Sequence, residues 1–255
     1  MAAEAKETER TAAMLVIGNE VLTGKVHEAN VAVVARLFFE LGIRLRRVVV
    51  CVDEIDVIAE DVRSLARSHD VLITSGGIGP THDDVTYDGV AAAFGREIER
   101  NEGLERMLRA YHEKKDLPVT EAQLRMANVV KGSRLLQTPA HPWPTMVVEN
   151  VYVLPGVPQI FRLKMPLLRA DLDHGERLFS ESVYTRCREG EIASLLEELE
   201  GEHPAVAVGS YLNWDDSQYT VLVTFDSRNE TQALRAAQKF VDAIGDKFVS
   251  REAPA

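Results

Sequence analysis

Cysteine is scarce in this chain: Cys51 and Cys187 are the two among 255 residues. Each stands in an apolar, strand-like stretch, and neither belongs to a CxxC pair or a His/Cys cluster. No ligand set for a structural zinc is present, and both thiols are expected to be buried and free in a reducing compartment rather than joined in a disulfide. Positive charge is also in short supply, with 29 basic against 40 acidic residues and a net charge of −11. A protein that wraps nucleic acid needs a basic footprint, so no nucleic-acid partner is expected. A phosphate would have to be met by local amides, a few arginines or a metal. Nor does any apolar run approach the length of a membrane span, and Met1 to Arg10 is polar and acidic without the apolar region of a signal peptide. These absences imply a cytoplasmic protein with no membrane partner. Hydrophobic residues at 45% and charged residues at 27% suit a globular chain with room for one large domain and a small one.

The most informative stretch is Asp70 to Tyr87, DVLITSGGIGPTHDDVTY. Val71, Leu72, Ile73 and Thr74 form the short continuous run of a strand buried on both faces. Gly76, Gly77, Gly79 and Pro80 then force a turn in which amides can lie bare against a ligand. Thr81 reads as an N-cap, which puts Asp83 and Asp84 in the first turn of a helix. There the two carboxylates either complement the helix dipole or hold a divalent cation against a bound phosphate. The run is neither a Walker A loop nor a GxGxxG fingerprint. A glycine turn that merely reverses the chain is the competing reading.

The remaining chain reads as an α/β fold. Ala12 to Ile17 is an apolar strand ending at Gly18, which places Asn19 and Glu20 at its carboxyl end, the edge where open α/β sheets bind ligands. A helix over His27 to Leu41 follows, closed by Gly42, with Asn30 in its first turn either as an ordinary polar residue or as a ligand contact. Arg46 to Val52 is a strand, and Ile55 to Arg67 is a helix with Ile55, Ile58, Ala59, Val62 and Leu65 inward. This alternation predicts a mostly parallel sheet covered on both faces, a three-layer α/β/α domain over residues 11–172. After the glycine stretch, Val85 to Phe94 is helical, Asn101 caps a charged helix from Glu102 to Lys115, and the run Leu117-Pro118-Val119-Thr120-Glu121 starts another with a proline before its cap. Thr138 to Pro144 reads as a proline-rich loop in which His141 and Trp143 either stack on a ring or simply pack. Met146 to Val148 and Val151 to Leu154 form a hairpin about Glu149-Asn150. Pro155 and Gly156 make a second strand-to-helix turn before a helix from Gln159. Beyond a boundary at His174-Gly175, residues 173–250 read as a small α+β domain of βαββα order.

The run TSGGIGPTHDDVT resembles the signature of the molybdopterin-binding-like (MoaB/Mog) domain family. The branch it resembles holds the competence/damage-inducible protein A (CinA) and the amino-terminal domain of eukaryotic FAD synthase. Ile17 to Gly24, Glu28-Ala29-Asn30, Asn150 to Pro158 and Gly209 to Trp214 extend the resemblance over nearly the whole chain, the last two on the FAD synthase side. A departure lies around Thr138 to Pro144, where CinA members have a GTAPG-type glycine loop. The small domain is similar to the KH-like domain appended in this family, but it lacks a GxxG loop and a basic face, and a structural or dimerising role is its default.

The resemblance implies a metal-dependent pyrophosphatase acting on ADP-linked dinucleotides such as FAD or ADP-ribose. Asp84 and Asp83 would be catalytic and, with Glu20, would hold a divalent ion such as Mg, Mn or Co. Substrate would be met by Gly18, Asn19, Glu20, Asn30, Ser75, Gly76, Gly77, Gly79, Pro80, Thr81, Thr86, Pro155 and Gly156. The competing function is a non-catalytic protein that holds molybdopterin or another phosphorylated cofactor. A small-molecule nucleotide or pterin is thus the expected ligand, and a homo-oligomer, favoured as a dimer, the expected assembly.

Overall fold

The computed structural model describes residues 10–138, 141–175, 177–214 and 218–253. They fall into two compact units, one ending at Asp173 and one running from His174 onward and taking in Glu40–Gly42.

The first unit begins with strand β1 (Thr11–Ile17), a single turn α1 (Asn19–Leu22), helix α2 (Asn30–Glu40), strand β2 (Arg44–Cys51), helix α3 (Ile55–Ser68) and strand β3 (Val71–Ser75). Helix α4 (Thr86–Phe94), strand β4 (Ile98–Arg100), helices α5 (Glu102–Glu113) and α6 (Glu121–Leu124), and strand β5 (Asn128–Val130) follow. Strands β6 (Arg134–Thr138), β7 (His141–Val148) and β8 (Val151–Leu154) and helix α7 (Pro158–Leu172) complete it. Six strands make one sheet in the order β2-β1-β3-β8-β7-β6, parallel from β2 to β8 and antiparallel across β8-β7 and β7-β6.

The apolar runs explain this order. Every residue of β3 and β8 is buried, as central parallel strands covered on both faces require. Successive side chains of β1 alternate between faces: Ala13, Leu15 and Ile17 join the core formed with α3 and α4. Ala12, Met14 and Val16 are equally buried and point the other way, the side on which Phe38 of α2 and Phe161 of α7 are buried. On α3 the buried positions are Ile58, Ala59, Val62 and Leu65; Ile55, expected among them, is 42% exposed because it opens the helix. Both expected helix starts near residue 100 and residue 120 hold. Asn101 accepts from the Leu104 amide at 3.1 Å, and Thr120 and Gln123 form a capping box.

One reading needs correction and one pairing was unforeseen. Residues 141–144 are not loop: β7 starts at His141 and runs through Pro142 and Pro144. The prolines are tolerated because β7 pairs with β8 only from Met146 onward, while toward β6 the register slips between Leu136 and Thr138. Residues 139 and 140 and the side chain of His141 lie outside the described residues. Second, β4 and β5 pair as a separate antiparallel ribbon, which three-residue strands are too short to announce by periodicity.

The second unit contains β9 (Phe179–Thr185), α8 (Glu189–Glu202), β10 (Ala207–Leu212), β11 (Val221–Ser227), α9 (Glu230–Ile244) and β12 (Phe248–Ser250). The expected βαββα order thus gains a closing strand. Its antiparallel sheet runs β10-β11-β9-β12. Val183, Val223 and Phe225 pack there against Ala236, Ala237 and Phe240. The two thiols are buried and free, Cys51 in the first unit and Cys187 in the second, as their apolar settings foretold.

Candidate functional site

The carboxyl ends of β1, β3 and β8 open onto a cavity of about 500 Å³. At its centre is the glycine turn after β3. Gly76 and Gly77 have φ of +112° and +63°, conformations that side chains resist. The space is as restrictive as the angles. A Cβ on Gly76 would lie 2.0 Å from the Ile17 carbonyl oxygen, and one on Gly79 would lie 2.6 Å from Asp84 Oδ2. Gly156 on the neighbouring β8–α7 turn is packed against the Gly76 backbone, where a Cβ would come within 3.2 Å.

Local bonds lock the turn. Thr86, the first residue of α4, donates through Oγ1 to the Gly76 carbonyl at 2.9 Å and through its amide to the Gly77 carbonyl at 3.0 Å. Arg125 holds the far side, donating to the carbonyls of Pro80 and Thr81 at 2.8 and 3.0 Å. The Thr81 amide donates to Asp84 Oδ2 at 2.8 Å, and its hydroxyl donates to the same oxygen. Thr81 therefore caps nothing. The helix starts five residues later, and Asp83 and Asp84 sit in the turn before it, because Thr81 is bound to the Asp84 carboxylate within that turn.

A second correction concerns the amides. The Gly76 N–H donates to the Leu154 carbonyl at 3.2 Å, continuing the β3–β8 ladder, so it is not offered to a ligand. The amides of Gly77, Ile78 and Gly79 have no protein acceptor among the described residues. These three remain for an anion.

Of the expected contact residues, Glu20, Asn30, Ser75, Gly76, Gly77, Gly79, Asp84, Pro155 and Gly156 line the cavity. Gly18, Asn19, Pro80, Thr81, Asp83 and Thr86 do not; they buttress the turns around it, apart from Asp83, which is exposed. Asn30 is buried, and its Nδ2 donates to Ser75 Oγ at 2.9 Å and to the Gly156 carbonyl at 2.8 Å. Its first task is therefore to tie α2 to both turns.

Two residues at or beside the cavity, Asp53 and Lys164, were not singled out in the sequence, whereas Trp143, read there as stacking or packing, lines it. Asp53, just past the carboxyl end of β2, accepts from the Asn19 amide at 2.8 Å. Burial raises its carboxyl above the ordinary range, the Asn19 amide opposes this, and the charges of Glu20, Asp83 and Asp84 raise it further. Those four acids thus share one field. Trp143 and Lys164 also line the cavity, and Lys164 donates to the Trp143 carbonyl. The position of Asp53 at a strand end could have flagged it; nothing in the sequence marks Lys164.

Among the described residues no three His, Cys, Asp or Glu side chains converge as a metal centre. The donor set suits a hard cation bound by one or two carboxylates and otherwise by ligand phosphate, the habit of Mg²⁺, and does not suit an all-protein cage. Asp84, Glu20 and Glu28 are the carboxylates on the cavity wall, and Glu28 already accepts from the Asn30 and Val31 amides at 2.7 and 2.9 Å.

A mostly parallel α/β sheet with a locked glycine turn at its carboxyl edge, followed by a small antiparallel α+β unit, defines the class. The chain belongs to the family described as "Probable molybdopterin binding domain", whose model matches residues 13–174; residues 177–253 match the "FAD synthase, middle domain". A protein of Archaeoglobus fulgidus is 29% identical over 231 residues, covering 91% of this chain and 96% of its own length. A "Probable FAD synthase" of Caenorhabditis elegans is 30% identical over 244 residues, covering 86% of this chain. Only 47% of that relative is matched, so the chain spans about half its length. Among solved structures, the CinA protein of unknown function from Thermoplasma acidophilum superposes with a TM-score of 0.57 at 28% identity, over 64% of this chain and 99% of its own. No helix of the described residues is long and apolar enough to cross a membrane.

Proposed function

We propose that this chain is a nucleotide-processing enzyme, a divalent-metal-dependent pyrophosphatase that cleaves ADP-linked dinucleotides of the FAD or ADP-ribose type. The observation that carries the reading is the juxtaposition in one cavity of three unengaged loop amides with Asp84 and Glu20. The names of the FAD synthase relatives and of the second unit's family model support a flavin nucleotide among the substrates. The amides of Gly77, Ile78 and Gly79 bind phosphate oxygens and stabilise the charge that builds there during cleavage. Asp84, oriented by Thr81, and Glu20 would hold a divalent cation, which would supply polarisation of the phosphoryl oxygen and a more acidic water. No side-chain nucleophile is required.

Purified protein incubated with ADP-ribose, FAD, NAD and coenzyme A, each with Mg²⁺, Mn²⁺ or Co²⁺, should release AMP from at least one, identified by mass. Asp84→Asn should abolish that turnover, and full activity in this variant would overturn the assignment. One observation favours a second reading. The sparse carboxylate set, with an amide residue at position 19, also fits a protein that binds molybdopterin or another phosphorylated cofactor without cleaving it. A ligand that copurifies while no substrate turns over would establish that alternative. We also expect a homodimer, on the family resemblance alone, and light scattering measures it.

A further inference from the structure

The cavity lining carries two chemically different sets of residues. Besides the glycine turn and its carboxylates it includes an apolar set, Val153, Ile160 and Trp143, with Lys164 bonded to the Trp143 carbonyl. Lys164 is 5% exposed. An ammonium carries three donors, the Trp143 carbonyl takes one, and among the described residues Lys164 pairs with no carboxylate and meets no other acceptor. Burial also holds its pKa below the ordinary lysine value. Thr145 also lines the cavity, buried with its Oγ1 unpartnered. A buried cation with unmet donors inside an apolar wall is costly unless a ligand acceptor completes it.

We propose that Lys164 is the specificity residue for the non-adenosine half of the dinucleotide. It donates to a ring carbonyl of a planar oxo-heterocycle laid along the apolar wall, the lactam edge that flavins and pterins share. This rests on the reading that the diphosphate occupies the glycine turn, for a ligand with its phosphates there has only its ring to offer to this wall. The N–H beside such a carbonyl is the donor that the unpartnered oxygen of Thr145 lacks. Cation-to-carbonyl bonds of this kind are worth about tenfold or more in affinity.

Calorimetric titration of the intact protein tests this with riboflavin and lumazine, which have the oxo-heterocycle and no diphosphate, and with ADP-ribose, which has the diphosphate and adenine but no oxo-heterocycle. At least one ring compound should bind, and which one tells flavin from pterin. Lys164→Met should weaken it at least tenfold and weaken ADP-ribose less. A second measurement needs no variant: wild-type protein should bind pteridine, which lacks the oxo groups, at least tenfold more weakly than lumazine. Equal losses for ring compound and ADP-ribose would assign Lys164 to phosphate and overturn the proposal, as would failure of both ring compounds to bind. Lysine-dependent riboflavin binding without any dinucleotide turnover would sustain the subsite and sink the pyrophosphatase reading. Hydrolysis of ADP-ribose by a protein blind to both rings would do the reverse.

Discussion

Gly77→Ala tests the architecture of the glycine turn without reference to any ligand. At φ +63° an alanine is held in the left-handed region at a cost of about 1–2 kcal/mol. Its Cβ would also lie 2.3 Å from Thr86 Oγ1, so that hydroxyl must move. The hydroxyl is fully buried and is bonded to the Gly76 carbonyl at 2.9 Å. Breaking that bond inside the core adds about 1–3 kcal/mol. The sum, about 2–5 kcal/mol, corresponds to a fall in Tm of about 4–20 °C for a domain of roughly 150–250 residues. Thr86→Ala alone should cost about 1–3 kcal/mol for the same lost bond. In the double variant the clash is gone and the bond is counted only once, so the two costs should fall short of additivity by about 1–3 kcal/mol. Thermal melts of the wild type, both single variants and the double variant measure this coupling. Additivity within about 0.5 kcal/mol would refute the packing argument.

Removing the α5 cap with Asn101→Ala should cost about 1 kcal/mol, seen as a Tm lower by a few degrees, since the Leu104 amide loses its acceptor. Arg125→Ala releases the carbonyls of Pro80 and Thr81 and should raise KM for a dinucleotide severalfold while Tm falls little, because the guanidinium sits at the surface. The Cys51 thiol is pushed up to about 12 by burial, with Asp61 and Asp53 adding to it. The folded state therefore keeps its proton where the unfolded state loses it, and stability should decline as pH rises from about 9 through about 12, a decline that Cys51→Ala removes from the melting curve. The amide and then the hydroxyl of Thr11 hold the Asp70 carboxyl below its ordinary value, with bonds of 2.7 and 2.9 Å. Its stabilising effect is present above the ordinary carboxylate range and is lost as pH falls through the lowered value. Asp70→Asn should accordingly flatten the acid limb of a Tm-against-pH curve.

What the sequence determined by itself is whatever depends on a few adjacent residues. The β3 run, the turn at Gly76 to Gly79, the caps at Asn101 and Thr120, and helix α9 over Glu230–Ile244 are written in local sterics, local hydrogen bonding and 3.6-residue periodicity. The family resemblance drew on the same short stretches. Tertiary structure decided the rest. Whether the Gly76 amide faces a ligand depends on the Leu154 carbonyl, nearly eighty residues away. Thr81 looked like a cap because its neighbours are acidic, yet the Asp84 carboxylate takes its donors and the helix waits for Thr86. The prolines of β7 are permitted by a missing neighbour strand, a fact no window of sequence contains. Asp53, Trp143 and Lys164 reach the site from the end of β2, from β7 and from α7. Only the parallel sheet, by bringing the ends of distant strands to one edge, gathers them around a single cavity.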